Sequence, residues 1–282
     1  MQLGSGDYVY EIEEGWAKLP DGWDMKVVAG IGVDSEDRVY AFNRGDHPLI
    51  VFDSEGNVIA SWGEGTLNFA HAVYVDASDN LWLTDRYGQV VWKFDTEGNL
   101  LQTLGTVGEP APNGGPFHDP TQLAFAPNGD MYVSDGYVNS RTHRFSGAGE
   151  HLHSWGEFGD APGQFNLPHG VWVDPLERVW VADRENSRIQ FFNLDGLFLY
   201  EWTGYARPSD FYMDSNDVMY VAEIDAGVAV VDMDGKILSR FGEAGDGPGQ
   251  FVSPHGIWGD SRGNLYLCEV GRENSIHKLR RV

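Results

Sequence analysis

Among 282 residues there is a single cysteine, Cys268. An intrachain disulfide is therefore excluded, and a chain of this length needs none to hold a core, so a reducing, cytoplasmic setting is the expectation. Basic residues are scarce as well: 19 Lys and Arg face 43 Asp and Glu, a formal charge of −24. Such an excess of negative charge repels phosphate backbones and anionic lipid, which argues against a nucleic-acid or membrane surface. An anionic ligand would have to be met by local arginines. No run of 18 apolar residues occurs, and Met1 leads into a polar, acidic segment without the basic and apolar regions of a secretory leader. No stretch carries a convincing helical pattern.

What is abundant is turn punctuation. The 36 glycines and 13 prolines are spread between short runs rich in Val, Tyr, Trp and Phe, the look of an all-β chain of many short strands. The chain also repeats. Apolar strands, nearly all ending in Asp, recur as GIGVD (30–34), AVYVD (72–76), QLAFA (122–126), GVWVD (170–174), DFYMD (210–214) and GIWGD (256–260), with their last residues 40 to 50 apart. Each is followed by a tight polar turn and a second strand (RVYAF, LWLTD, MYVSD, RVWVAD, VMYVAE, LYLCE), and most by a third and fourth strand. Four strands per unit of this length describe a propeller blade.

The spacing thus predicts one domain, 1–282, folded as a six-bladed β-propeller. Its blades fall at 27–65, 70–106, 119–157, 167–204, 207–243 and 253–282. The sixth unit stops after its third strand, so 7–19 is expected to supply the fourth and close the ring, which removes free sheet edges. PGQFNLPHGVWVD and ADRENSRIQFFNLDG resemble NHL repeats, and the likeness extends in weaker form over all six units.

Five residues before each strand end, blades two, four and six carry His71, His169 and His255, while blades one, three and five carry Ala29, Thr121 and Ser209. Alternate blades of a six-fold ring lie roughly 120° apart, so the three imidazoles converge at one mouth of the central channel. Three neutral imidazoles with an open fourth position are the pattern of catalytic zinc. Taken singly, each His can instead simply cap the start of its strand.

Fifteen residues further on stand Arg44, Arg86, Gly136, Arg184, Ile224 and Val270, at strand ends opening on the same mouth. Arginines there can hold a substrate carboxylate or form salt bridges with Asp46, Asp85, Asp183 and Glu185. Tyr137, after Gly136, is either a packing residue or a base beside an arginine and a metal. Asn139, Asn186 and Arg188 fit blade-to-blade hydrogen bonding.

In NRGDH (43–47), SDGYVNSR (134–141), GQFNLPHG (163–170) and ADRENSRIQ (182–190) the chain resembles the peptidyl-α-hydroxyglycine α-amidating lyases, from about Val27 to His277. The resemblance implies zinc ligands at His71, His169 and His255, a catalytic tyrosine at Tyr137, and active-site arginines at Arg44 and Arg184. It implies cleavage of a carbinolamide to an amide and glyoxylate. Gly256 stands where animal members carry an acidic calcium ligand, which speaks against a structural calcium in the channel. Ser253 replaces a methionine near the metal, in the region of the leaving group. The family's disulfide cysteines are absent, and a copper-dependent hydroxylating domain ahead of the propeller is not expected.

The expected function is therefore a zinc-dependent lyase of a small carboxylate substrate, with Arg86 and Ser253 as further substrate-binding residues and another divalent metal as a possible substitute for zinc. Two alternatives stand beside it. One is a metal-dependent hydrolase of a small ester, lactone or amide that uses activated water; the other is a non-catalytic NHL binding module.

Overall fold

The computed structural model describes residues 1–282, apart from the side chain of residue 113. Six antiparallel sheets stand around a central channel. Their innermost strands are Val28–Val33, Ala70–Val75, Gln122–Phe125, Pro168–Val173, Pro208–Met213 and Pro254–Gly259. Each of these packs against the next, and the sixth against the first, so the ring is closed. No α-helix occurs among the described residues; Pro112–Gly114 and Arg184–Asn186 are single 3₁₀ turns. No helix is long and apolar enough to cross a membrane.

The repeated Asp makes each first turn. Asp34 Oδ1 accepts the backbone N–H of Glu36 and Arg38 at 3.0 and 2.9 Å. Asp76, Asp174, Asp214 and Asp260 do the same for the residues two and four positions on. An aspartate that satisfies two turn N–H groups folds the hairpin locally, before any blade packs. Much of the acidic excess is thus spent in turns.

The other carboxylate oxygen reaches the second strand. Tyr40 O–H donates to Asp34 at 2.8 Å, Trp82 Nε1 to Asp76 at 3.0 Å and Trp180 Nε1 to Asp174 at 2.7 Å. Blade three has Ala126 in place of the Asp, and its Tyr132 donates instead to the Leu194 carbonyl of blade four, at 2.8 Å. Tyr40, Tyr132 and Trp180, with Tyr220 and Tyr266, are among the largest fully buried side chains, and Trp82 is buried as well. A buried ring with a satisfied polar tip contributes area without leaving an unpaired donor.

Ring closure follows the sequence expectation and adds to it. Tyr8–Glu13 pairs with Ile276–Arg281, with Tyr10 opposite Arg281 and Ile12 opposite Leu279. Gln2–Ser5 then folds back on Tyr8–Glu13 as a fifth strand, which the repeat count had not called for.

The channel is floored by aromatics in the same alternation as the histidines. Tyr74, Trp172 and Trp258, from blades two, four and six, meet with ring centroids 5.4 to 6.0 Å apart. An odd separation of three residues from each histidine would put the two side chains on opposite faces of a regular strand. A bulge near the start of each of these strands, between Ala70 and Ala72, Pro168 and Val171, and Pro254 and Gly256, sets both inward.

Candidate metal centre and active site

His71, His169 and His255 come together as the alternation requires. All three are buried, their ring centroids are 4.6 to 4.8 Å apart, and one nitrogen of each lies within 4.8 Å of the others.

The neighbouring blade fixes each ring. His71 Nδ1 donates to the Thr121 carbonyl at 2.6 Å, His169 Nδ1 to Ser209 O at 2.6 Å and His255 Nδ1 to Ala29 O at 2.7 Å. With the proton held at Nδ1, the lone pair sits on Nε2 and faces the axis. The intervening residues complete the circle: Thr121 Oγ1 donates to Pro168 O at 3.1 Å and Ser209 Oγ to Pro254 O at 3.0 Å. Ala29 has no hydroxyl to offer, and there Arg44 Nε donates to Ala70 O at 3.2 Å. Histidines therefore alternate with two hydroxyls and one guanidinium around the ring of hydrogen bonds.

Burial, reinforced by neighbouring positive charge, holds His71 and His169 well below the usual imidazole range and pushes His255 down to about 3. The imidazoles are therefore neutral. His169 Nε2 is buried and has no hydrogen-bond partner. An orphaned acceptor between two like-oriented imidazoles is what a cation would satisfy, so the donor set fits a divalent metal, and three nitrogen ligands suit zinc.

Tyr137 stands beside this trio. Its hydroxyl is 3.1 Å from His71 Nε2. Gly136 makes the approach possible, since a Cβ there would fall 2.0 Å from the Pro168 carbonyl oxygen. The same close passage explains why blade three lacks the arginine of its neighbours.

The arginines differ in what surrounds them. Arg86 Cζ lies 3.5 Å from the Tyr137 ring centroid and its guanidinium pairs with Asp119 at 3.0 Å. Arg184 is 5.7 Å from the same centroid and pairs with Glu185 at 2.9 Å. Arg44 lies over the Phe69 ring at 3.9 Å, and burial lowers its affinity for a proton. Among the described residues Arg44 forms no ion pair. Of the acidic neighbours named from the sequence, Glu185 is the one that engages an arginine of this set.

Ser253 is placed apart from the histidine pocket. It adopts a left-handed backbone (φ 59°), and with Ile224, Asp225 and Phe251 it lines a cavity of about 350 Å³ between blades five and six. Asn186 and Arg188 bind Asp183 and the carbonyls of Gly159, Asp160, Ala161 and Gln164, tying the link between blades three and four to blade four. Asn139 grips Asp135 and Gly115 O.

Below the histidines the channel holds Gln122 and Asp210. Asp210 accepts from the Gln122 amide and from the backbone N–H of Phe211 and Ile257, at 2.7 and 2.9 Å for the latter two. A Cβ on Gly256 would stand 2.9 Å from Cys268 Sγ, so this position turns no carboxylate toward the axis. With Asp210 already bound by three donors, these residues do not form a calcium cage.

Thr121, Ser209, Asp119 and Asp210 were not singled out as functional from the sequence. Thr121 and Ser209 stood in the histidine frame, and their hydroxyls were the available signal. Asp119 and Asp210 carry none beyond their proximity to that frame.

The profile of the NHL repeat matches residues 165–192. The human NHL repeat-containing protein 3 is 34% identical over 209 residues, 69% of this chain and 60% of its own length. The rat peptidylglycine alpha-amidating monooxygenase is 33% identical over 227 residues, 68% of this chain and 23% of its own. The Drosophila melanogaster peptidyl-alpha-hydroxyglycine alpha-amidating lyase 1 is 38% identical over 106 residues, 34% of this chain and 19% of its own. The chain belongs to the NHL-repeat propellers, with the amidating lyases among its relatives. It spans less than two thirds of the length of each of the three. Solved propellers confirm the fold: a streptogramin B lyase superposes with a TM-score of 0.67 at 16% identity, covering 96% of this chain and 97% of its own. A gluconolactonase of Xanthomonas campestris reaches 0.69 at 16% identity, covering 99% and 96%.

Proposed function

We propose that this NHL-repeat propeller is a metal-dependent carbon–nitrogen lyase. With zinc at His71, His169 and His255, it cleaves a carbinolamide-type α-hydroxy acid, close to a peptidyl-α-hydroxyglycine, into an amide and glyoxylate. The observation that carries the reading is the Tyr137 hydroxyl 3.1 Å from His71 Nε2, at the edge of three inward-facing neutral imidazoles. The kinship with amidating lyases supports the same reaction class.

Zinc held by the three Nε2 atoms would supply a Lewis acid that makes a contacting hydroxyl more acidic. Arg44, with no carboxylate partner among the described residues, is suited to take the substrate carboxylate. Tyr137 removes the proton of the α-hydroxyl. As the O–H electron pair becomes the second bond of the aldehyde C=O, the C–N pair leaves with nitrogen, and Tyr137 returns the proton there. The step needs no water and no oxidant. Arg184, near the same ring, would add positive charge that favours the deprotonated tyrosine before it takes that proton and after it has passed it on.

A second reading, hydrolysis of a small ester, lactone or amide, is favoured by the same open donor set, which would serve to activate water, and needs no tyrosine. Metal content by elemental analysis, coupled to glyoxylate release from α-hydroxyhippurate, decides between them. Stoichiometric zinc with release supports the lyase. Metal without release moves the assignment to hydrolysis, and purification without stoichiometric metal leaves a binding module.

A further inference from the structure

The Asp119–Arg86 pair carries a feature that neither the lyase chemistry nor the repeat demands. Asp119 sits two residues before Thr121, whose carbonyl orients His71. It is 8% exposed, and its carboxylate is fully engaged: Oδ2 takes Arg86 Nε and the terminal guanidinium nitrogen, both at 3.0 Å, and Oδ1 takes Gln89 Nε2 at 2.7 Å. Gln89 answers by accepting the Asp119 backbone N–H at 2.8 Å. Both residues hold left-handed backbone, φ 64° and 60°; Leu167, Arg207 and Ser253 do so at the position of Asp119 in other blades, so the conformation belongs to the repeat, whereas the carboxylate at 119 and its pairing with Arg86 do not. The outcome of the arrangement is that the Arg86 guanidinium is held over the Tyr137 ring, its Cζ 3.5 Å from the centroid. A planar guanidinium over a phenol face fixes the ring's plane as well as attracting it.

We propose that Asp119 is a positioning residue: through Arg86 it fixes the Tyr137 ring beside His71, and the same short segment, 119–121, orients the imidazole and the phenol together. Arg86 is then not free to bind substrate carboxylate, and anion recognition falls to Arg44. The kinetic consequence rests on the lyase reading above; the geometry does not.

The test uses Asp119→Asn, since asparagine tolerates the left-handed backbone, and Arg86→Gln, which removes the contact from the other side and leaves residue 119 untouched. Each is compared with the parent chain carrying 3-fluorotyrosine at position 137 and loaded with zinc. The expected result is a moved or broadened ¹⁹F line in both variants, unchanged zinc content, kcat for glyoxylate release down about tenfold or more, and KM within about threefold. Asp119→Glu, which keeps the charge, should restore part of kcat. An unmoved ¹⁹F line in a folded variant overturns the proposal. So does a several-fold drop in KM for Asp119→Asn, which would mean that freeing Arg86 turns it into a substrate ligand. If the parent chain releases no glyoxylate, the lyase reading fails, and the fluorine line still decides the role of Asp119.

Discussion

The Thr121 carbonyl oxygen lies 2.6 Å from His71 Nδ1, while the hydroxyl of the same threonine reaches Pro168 O at 3.1 Å. One residue of blade three thus orients the histidine of blade two and ties down the strand that carries the histidine of blade four. Ser209 repeats the arrangement between blades four and six. Thr121→Val and Ser209→Ala should each lower the unfolding free energy in urea by about 1 kcal/mol, since each leaves a buried carbonyl without its donor. Stoichiometric metal should be retained, because the ring-orienting carbonyls belong to the backbone. Unfolding curves that match those of the parent chain would show that these hydroxyls are not ties.

Tyr137 divides the two enzymatic readings. Replacing it with phenylalanine removes one oxygen and leaves the ring under Arg86. Lyase turnover should fall by about 10²-fold or more with zinc content unchanged, as expected on losing a group that both takes and returns a proton. Ester or lactone hydrolysis that survives the substitution would assign the chemistry to activated water.

Arg44 separates recognition from chemistry. Arg44→Lys keeps the charge but loses the planar fork, and Arg44→Gln loses both. Steady-state glyoxylate release should show KM rising about tenfold or more in the glutamine variant and less in the lysine variant, with kcat changing less than KM. An uncharged analogue of the substrate should be indifferent to either change. Equal KM values in all three proteins would remove Arg44 from substrate binding.

Asp210 makes stability depend on pH. Burial raises its carboxyl from the ordinary 3.8 to about 7, against the three N–H donors that favour the ionised form. Because the folded protein holds this proton more tightly than the unfolded chain, the stability it contributes is complete below the unfolded value and is lost as pH rises through about 7. Asp210→Asn cannot ionise. The difference in unfolding free energy between parent and variant should therefore decline from pH 5 to pH 8. A difference independent of pH would contradict the assignment.

The fold was legible because its signal is local and repeated. An Asp that folds a hairpin, a Tyr or Trp six residues on that reaches it, and a spacing of one blade together leave little choice of architecture. The histidines were legible for the same reason, since Ala29, Thr121 and Ser209 made the alternation visible. The partners of the arginines were not. Arg86 meets Asp119 rather than Asp85 because the link into blade three folds back over the end of blade two, while Asp85 caps the backbone N–H groups of Asn68 and Phe69. Such pairings depend on how links of unequal length cross the mouth, and no period in the sequence encodes them. The fifth strand, Gln2–Ser5, escaped for a related reason: it lies outside the repeat.

Tyr74, Trp172 and Trp258 have a consequence for traffic. By meeting beneath the histidines they crowd that side of the channel, so the proposed reaction would admit its reactant and release its products on the side where Arg44 stands. In the proposed lyase reaction two products and the next reactant would share one passage beside Arg44, where a departing carboxylate would compete with an arriving one.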